Sequence, residues 1–136
     1  MELKRGEYTI SCDAKRLDVG VVHGFLQKSY WATNVSEDIV RRSIEHSLCF
    51  GVYHRETQVG FARVITDYAT FAYLADVFVI ESHRGRGLAK WLIETVISHP
   101  GLNGLRRWIL ITRNAHDLYR KYGFREVRNP ERFMER

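Results

Sequence analysis

The stretch His83-Arg84-Gly85-Arg86-Gly87-Leu88-Ala89-Lys90 constrains the fold more than any other, because it joins a strand-like run directly to an amphipathic helix. Upstream, Phe71 to Ile80 is rich in aromatic and β-branched residues, as a buried or half-buried strand should be, with one acid, Asp76, in its middle. Downstream, Leu88, Trp91, Leu92, Thr95 and Val96 recur at helical spacing and make one apolar stripe. Between them lies a glycine-rich turn with two arginines. Glycine lets backbone approach a ligand closely, and the first N–H groups of a helix point outward with partial positive charge. The junction therefore suits a phosphate or pyrophosphate.

The rest of the chain arranges itself around this turn. Tyr8 to Cys12 alternates like a short strand, and Asp13 is placed to cap a helix carrying Leu17, Val21, Val22, Phe25 and Leu26 and ending near Tyr30-Trp31. Asn34 with Glu37 resembles a capping box opening a second helix through Ile39, Val40, Ser43 and Ile44. The period then changes to two. Leu48 to His54, Gln58 to Asp67 and Phe71 to Ile80 read as three strands of an antiparallel meander, joined by Arg55-Glu56-Thr57 and Tyr68-Ala69-Thr70. After the glycine turn and its helix, Arg107 to Thr112 reads as a strand, Ala115 to Tyr122 as a short helix stopped by Gly123, and Phe124 to Val127 as a last strand. Asn129 to Arg136 is polar and carries no signal. The order predicts an α/β (α+β sandwich) fold in which the Phe71 strand feeds its helix to a parallel neighbour, Arg107 to Thr112. Ligands in such layouts bind at the carboxyl ends of strands, where the glycine turn lies.

With 136 residues, 45% of them hydrophobic, one domain over 1–136 is the simplest organisation. Cys12 and Cys49 match neither a redox pair nor a zinc spacing, which predicts free thiols and a cytoplasmic protein. The charged start, Met1 to Glu7, has no apolar segment after it, so neither export nor a membrane location is expected. His23, His46, His54, His83, His99 and His116 form no ligand spacing, so no metal is expected. A net charge of +5 is compatible with nucleic acid, but no recognition helix, zinc finger or aromatic RNA-binding signature accompanies it, and nucleic acid is not the expected partner. No G-x-S-x-G elbow or reactive cysteine context supports covalent catalysis.

The turn is not a Walker A loop, and it fits a dinucleotide fingerprint poorly, since Lys90 stands where the third small residue should be. As Arg84-x-x-Gly87-x-Ala89 it resembles the [QR]-x-x-G-x-[GA] acyl-CoA motif of the GNAT superfamily of N-acyltransferases. Downstream, Ala115-His116-Asp117-Leu118-Tyr119-Arg120-Lys121-Tyr122-Gly123-Phe124 is similar to the family's second signature, a short helix with Leu-Tyr and a closing Gly-Phe. The resemblance covers about Leu48 to Val127. It implies a GNAT-like mixed, mostly antiparallel central sheet flanked by helices, with a parallel, splayed strand pair at the acyl-CoA site.

It also implies roles for particular residues. The amides of Gly85, Arg86, Gly87, Leu88 and Ala89 hold the pyrophosphate of acetyl-CoA, with charge contacts from Arg84 and Arg86, and the backbone of Phe78, Val79 and Ile80 is the edge for the pantetheine arm. Asn114 either contacts that arm or caps the helix at Ala115. The chemistry implied is direct attack of a primary amine, on a small molecule or peptide, upon the thioester. Tyr119 matches the family tyrosine that serves the departing thiolate, the alternative being a core tyrosine. Asp76 either takes the amine's proton or accepts hydrogen bonds that orient its neighbours. Tyr30 and Trp31 lie at the inter-helix turn where the family builds its acceptor pocket, and Arg63 and Asp67 either read an amino-acid-like substrate or pair within the sheet. The main expectation is an acetyl-CoA-dependent N-acetyltransferase without a metal; the alternative is a catalytically silent acyl-CoA-binding sensor or regulatory module. Homodimerisation is left open.

Overall fold

A computed structural model describes residues Met1–Arg136. Six strands, β1 (Glu2–Arg5), β2 (Tyr8–Ser11), β3 (Leu48–His54), β4 (Thr57–Thr66), β5 (Phe71–Val79) and β6 (Arg107–Leu110), form one sheet in the order β1-β2-β3-β4-β5-β6. Neighbours are antiparallel except β5 and β6, which run parallel from Phe71↔Arg107 to Leu74↔Leu110. Four helices flank the sheet: α1 (Val19–Leu26), α2 (Glu37–Glu45), α3 (Leu88–Ile97) and α4 (His116–Arg120). This is the mixed, mostly antiparallel sheet with a parallel pair that the sequence predicts.

Each face of the sheet has its own apolar cluster. Leu88, Trp91, Leu92, Ile93 and Val96 of α3 bury against Ile10, Phe50, Val52, Val64 and Leu74 on one face. On the other, Val22 and Leu26 of α1 and Val40 of α2 cover Cys49, Phe61 and Phe78. At about 1.5–3 kcal/mol for each large side chain buried, the α3 stripe holds the glycine turn in place far more firmly than the turn's own contacts do.

A bulge in β5 reconciles the two faces. Ala72 and Leu74 join the α3 cluster and Phe78 the α1 cluster, although their even spacing would put all three on one side of a regular strand. Phe61 pairs with Phe78 and Arg63 with Ala75, so Ala62 alone spans Asp76 and Val77, and Asp76 takes φ 55°. In a regular strand Asp76 would point into the α3 core. The bulge turns it to the opposite face, toward Arg63.

Local signals differ from the sequence reading in several places. Asp13 caps only a single 3-10 turn, Ala14–Arg16, and the helix cap is Asp18, whose carboxylate accepts from the Val21 N–H, because the extended Leu17 separates the two elements. Ser36, not Asn34, caps α2; Asn34 sits at φ 62° within the preceding turn. Glu2–Arg5 pairs with Tyr8–Ser11 as an edge hairpin whose outer residues are all exposed, which is why no apolar alternation announced it. Phe124 to Val127 forms no strand and Asn129 to Arg136 holds one 3-10 turn, Pro130–Arg132. Both cysteines are free thiols, with burial pushing Cys12 up to about 11 and Cys49 up to about 12. No helix is long and apolar enough to cross a membrane.

Candidate active site

The parallel pairing of β5 and β6 stops at Leu74↔Leu110, so the remainder of β5 leaves its β6-facing edge open. Ile80 donates its N–H inward to the Val59 carbonyl at 2.8 Å. By strand alternation Val79 then turns its backbone toward the open edge, where its carbonyl accepts from Arg84 Nε at 2.9 Å. Of the three expected edge residues, Val79 therefore presents backbone to the splay, Ile80 is tied to β4, and Phe78 contributes a side chain stacked on Phe25 with centroids 4.0 Å apart.

The glycine turn follows a 3-10 turn, Glu81–His83, which His83 anchors to β2 through a 2.8 Å hydrogen bond between its Nδ1 and the Tyr8 hydroxyl. Burial, then the neighbouring His54 and Arg86 charges, lower the His83 pKa and favour the neutral ring. Gly85 and Gly87 adopt φ 79° and 75°, a left-handed conformation costly for any residue with a Cβ, and Gly87 caps α3. The first helical bond is from Trp91 N–H to the Gly87 carbonyl at 3.1 Å. The N–H groups of Gly85, Arg86, Gly87, Leu88, Ala89 and Lys90 donate to no protein group, and nothing lies within 4 Å of an ideal Cβ at Gly85 or Gly87. Six consecutive amides on an open cradle at a helix N-terminus, with exposed Arg84 and Arg86 beside them, fit a diphosphate. Leu88 meanwhile buries its side chain in the core and so fixes the cradle.

Where β5 and β6 part, a cleft of about 620 Å³ opens, lined among others by Tyr30, Trp31, Arg63, Asp76, Asn114 and Tyr119. The structure thus gathers into one cavity six residues scattered from the α1–α2 connection to α4. Tyr119 is 8% exposed, packs edge-on to Phe124, and its hydroxyl hydrogen-bonds to no protein group. Burial, then the nearby Tyr30, pushes its pKa up to about 12, so the phenol remains a proton donor at neutral pH. Tyr122 instead bonds Glu94 through its hydroxyl at 3.1 Å. Asn114 lines the cleft but does not cap α4; the Thr112 hydroxyl accepts from the Ala115 N–H at 3.0 Å in that place.

On the acceptor side both carboxylate oxygens of Asp76 are engaged. Trp31 Nε1 donates to Oδ1 at 2.8 Å and Arg63 Nε donates to Oδ2 at 2.9 Å, while Arg63 Nη1 donates to Ser47 Oγ at 3.1 Å. The pair is mostly buried, with side chains 16% and 11% exposed for Arg63 and Asp76. Tyr30 links the α1–α2 connection to the β6–α4 loop: its hydroxyl accepts from the Arg113 N–H at 3.1 Å, and the Arg113 guanidinium lies 3.8 Å above its ring. Asp67 stays out of the cleft and closes the β4–β5 turn, accepting from the Thr70 hydroxyl and from the amides of Thr70, Ala69 and Phe71, which hold its carboxyl well below the usual range. Ser47 and Arg113 escape sequence reasoning because their partners, Arg63 and Tyr30, are distant in the chain, whereas Thr112 has a local signal: it lies three residues before the first free amide of a short helix. No group of three or more metal-ligating side chains comes together.

Comparison with known proteins agrees with this geometry. Residues 45–126 match the acetyltransferase (GNAT) domain family. An inferred acetyltransferase of Gibberella zeae is 31% identical, covering 86% of this chain and 78% of its own. A crystal structure from Xanthomonas campestris pv. campestris, assigned to the same family, is 50% identical with TM-score 0.93 over 95% of this chain and 92% of that one. An inferred acetyltransferase of Clostridium acetobutylicum, whose crystal structure is with acetyl-CoA, shares the fold at 13% identity, with TM-score 0.67 over 94% of this chain and 93% of that one. The splayed strand pair, the amide cradle and the sequence match together place the chain in the GNAT acetyltransferase family.

Proposed function

We propose that this protein transfers an acetyl group from acetyl-CoA to a primary amine of a small molecule or peptide, by direct attack with both substrates bound. The Tyr119 hydroxyl carries this reading: it is nearly buried, protonated, free of protein partners, and set in the cleft at the end of the splay. A tyrosine serving only the core would use its hydroxyl or bury its ring alone.

The free amides of Gly85 to Lys90 fit the diphosphate of acetyl-CoA, and the open Val79 edge fits the amides of its arm, which pairs with it like an added strand. The relative crystallised with acetyl-CoA shares this fold. When bound, this cosubstrate supplies an activated thioester. As the new C–N bond forms and the C–S bond breaks, the Tyr119 phenol gives its proton to the departing sulfur and regains one from the amine through solvent, so no net charge accumulates. Asp76, with both oxygens occupied, orients Trp31 and Arg63 and is a positioning residue. Two free thiols suit a cytoplasmic setting.

The test is CoA release from acetyl-CoA across amino acids, arylalkylamines, polyamines and peptides, with Tyr119→Phe beside the parent. The expected result is turnover of at least one amine and a fall of about 10²-fold in kcat for the variant at unchanged acetyl-CoA affinity. Tight acetyl-CoA binding with no turnover of any amine would instead identify a silent acyl-CoA-binding module.

A further inference from the structure

The charge and shape of the cleft narrow the acceptor, on the reading that the chain acetylates an amine. Asp76 is the one acid among the lining residues, and Trp31 and Arg63 occupy both its oxygens. That carboxylate is already paired with a guanidinium, and the lining holds two guanidiniums, Arg63 and Arg113, against that single acid. A polycationic acceptor would enter such a site against like charge with no unpaired carboxylate to meet it. Arg63 has a further donor to offer: Nε is bound to Asp76 and Nη1 to Ser47, while Nη2 has no protein partner and is not sealed from solvent. Its planar fork is held by those two bonds, which leaves it set to meet one more anionic oxygen. Around it stand apolar side chains that line the cleft and remain partly open to solvent: Trp31 at 42%, Ile65 at 43% and Ile111 at 79% exposure, with Tyr73 beside them.

We infer that the acceptor is a single amine on an aromatic or branched apolar body that also bears a carboxylate, with Arg63 reading the carboxylate and Trp31, Ile65 and Ile111 enclosing the body. The excess positive charge also favours the neutral, nucleophilic form of the amine, which is consistent with a site whose only acid is already paired. Arg63 is then a specificity residue, positioned by Asp76 and Ser47.

The experiment compares L-phenylalanine, phenethylamine and spermidine, by calorimetric binding to the CoA-loaded protein and by CoA release from acetyl-CoA. Phenylalanine and phenethylamine differ by one carboxylate, and it is expected to be worth about tenfold in affinity and in kcat/KM, with spermidine weakest. In Arg63→Gln the tenfold preference falls to about one. Because Arg63 is part of a buried ion pair, Ile111→Glu provides a second variant at an exposed position; a carboxylate there is expected to reduce the preference several-fold without changing Tm. Equal binding of the first two amines, preference for spermidine, no binding of any of them, or a preference unchanged in both variants overturns the inference. Arg63-dependent binding of phenylalanine without turnover supports the pocket and instead overturns the transferase reading.

Discussion

Arg63 and Asp76 meet across the β4–β5 pair, Nε to Oδ2 at 2.9 Å, at the position where Asp76 leaves the extended conformation for φ 55°. Backbone and ion pair depend on each other. The bulge carries the carboxylate out of the α3 core, and the guanidinium compensates a charge that would otherwise be stranded beneath the α1–α2 connection. Trp31, on that connection, completes the set by donating to the same carboxylate.

Removing one member should therefore cost more than the exposed charges of this protein do. Asp76→Ala leaves Arg63 uncompensated and loses a residue type that tolerates the left-handed conformation; a destabilisation of about 3 kcal/mol is expected from urea unfolding. Asp76→Asn retains both the conformation and an oxygen for Trp31 or Arg63, so about half that loss is expected, with kcat/KM within about tenfold of the parent. A fall of about 10³-fold or more in Asp76→Asn, in a folded protein, would make Asp76 the base and not a positioning residue.

The Tyr119 pKa sets the form of the pH profile. Burial penalises the phenolate, so the donor form persists as pH rises and is half lost only near about 12. The amine must be neutral to attack, so kcat/KM should climb with pH through the amine's own pKa and reach a plateau with no falling limb below about pH 10. A descending limb centred near about pH 10 or below that disappears in Tyr119→Phe would show a tyrosine whose pKa is not raised and contradict this account.

The cradle is expected to be sensitive to a single methyl group. At Gly87, φ 75°, an added Cβ meets no atom but forces an alanine into left-handed backbone, so Gly87→Ala should lose about 1 kcal/mol in stability. Acetyl-CoA affinity should fall about tenfold as the free amides shift from their common direction. Gly24→Ala, in a helix with right-handed backbone and open space, is the matched control and should gain about 0.5–1 kcal/mol. Calorimetry and urea titration on the two variants decide the point; equal affinities for acetyl-CoA would show that the loop amides do not bind it.

The meander and the turn were legible because their signals are local. Leu48–His54 appears with the bounds that its alternation predicts, and the stripe from Leu88 to Val96 lies buried as its spacing requires. The caps were less legible, since Asp13 and Asp18, or Asn34 and Ser36, offer the same side-chain chemistry a few residues apart and only the path of the chain selects between them. Phe124 to Val127 has strand-like composition, but pairing along β6 is a tertiary event that composition does not specify.

What the sequence determined by itself was the cradle: two glycines, two arginines and a helix start lie within eight residues, so their conformation and charge follow from short-range sterics and the direction of a helix's first amides. It also marked Tyr119, through the residues around it. Only the tertiary structure decided which groups Asp76 meets. An acid in an apolar strand is equally compatible with a base and with a structural anchor, and the contacts of this one depend on a bulge against Ala62, an arginine on the next strand and a tryptophan 45 positions away. Side-chain charge is encoded residue by residue, but its compensation is a property of the packed sheet.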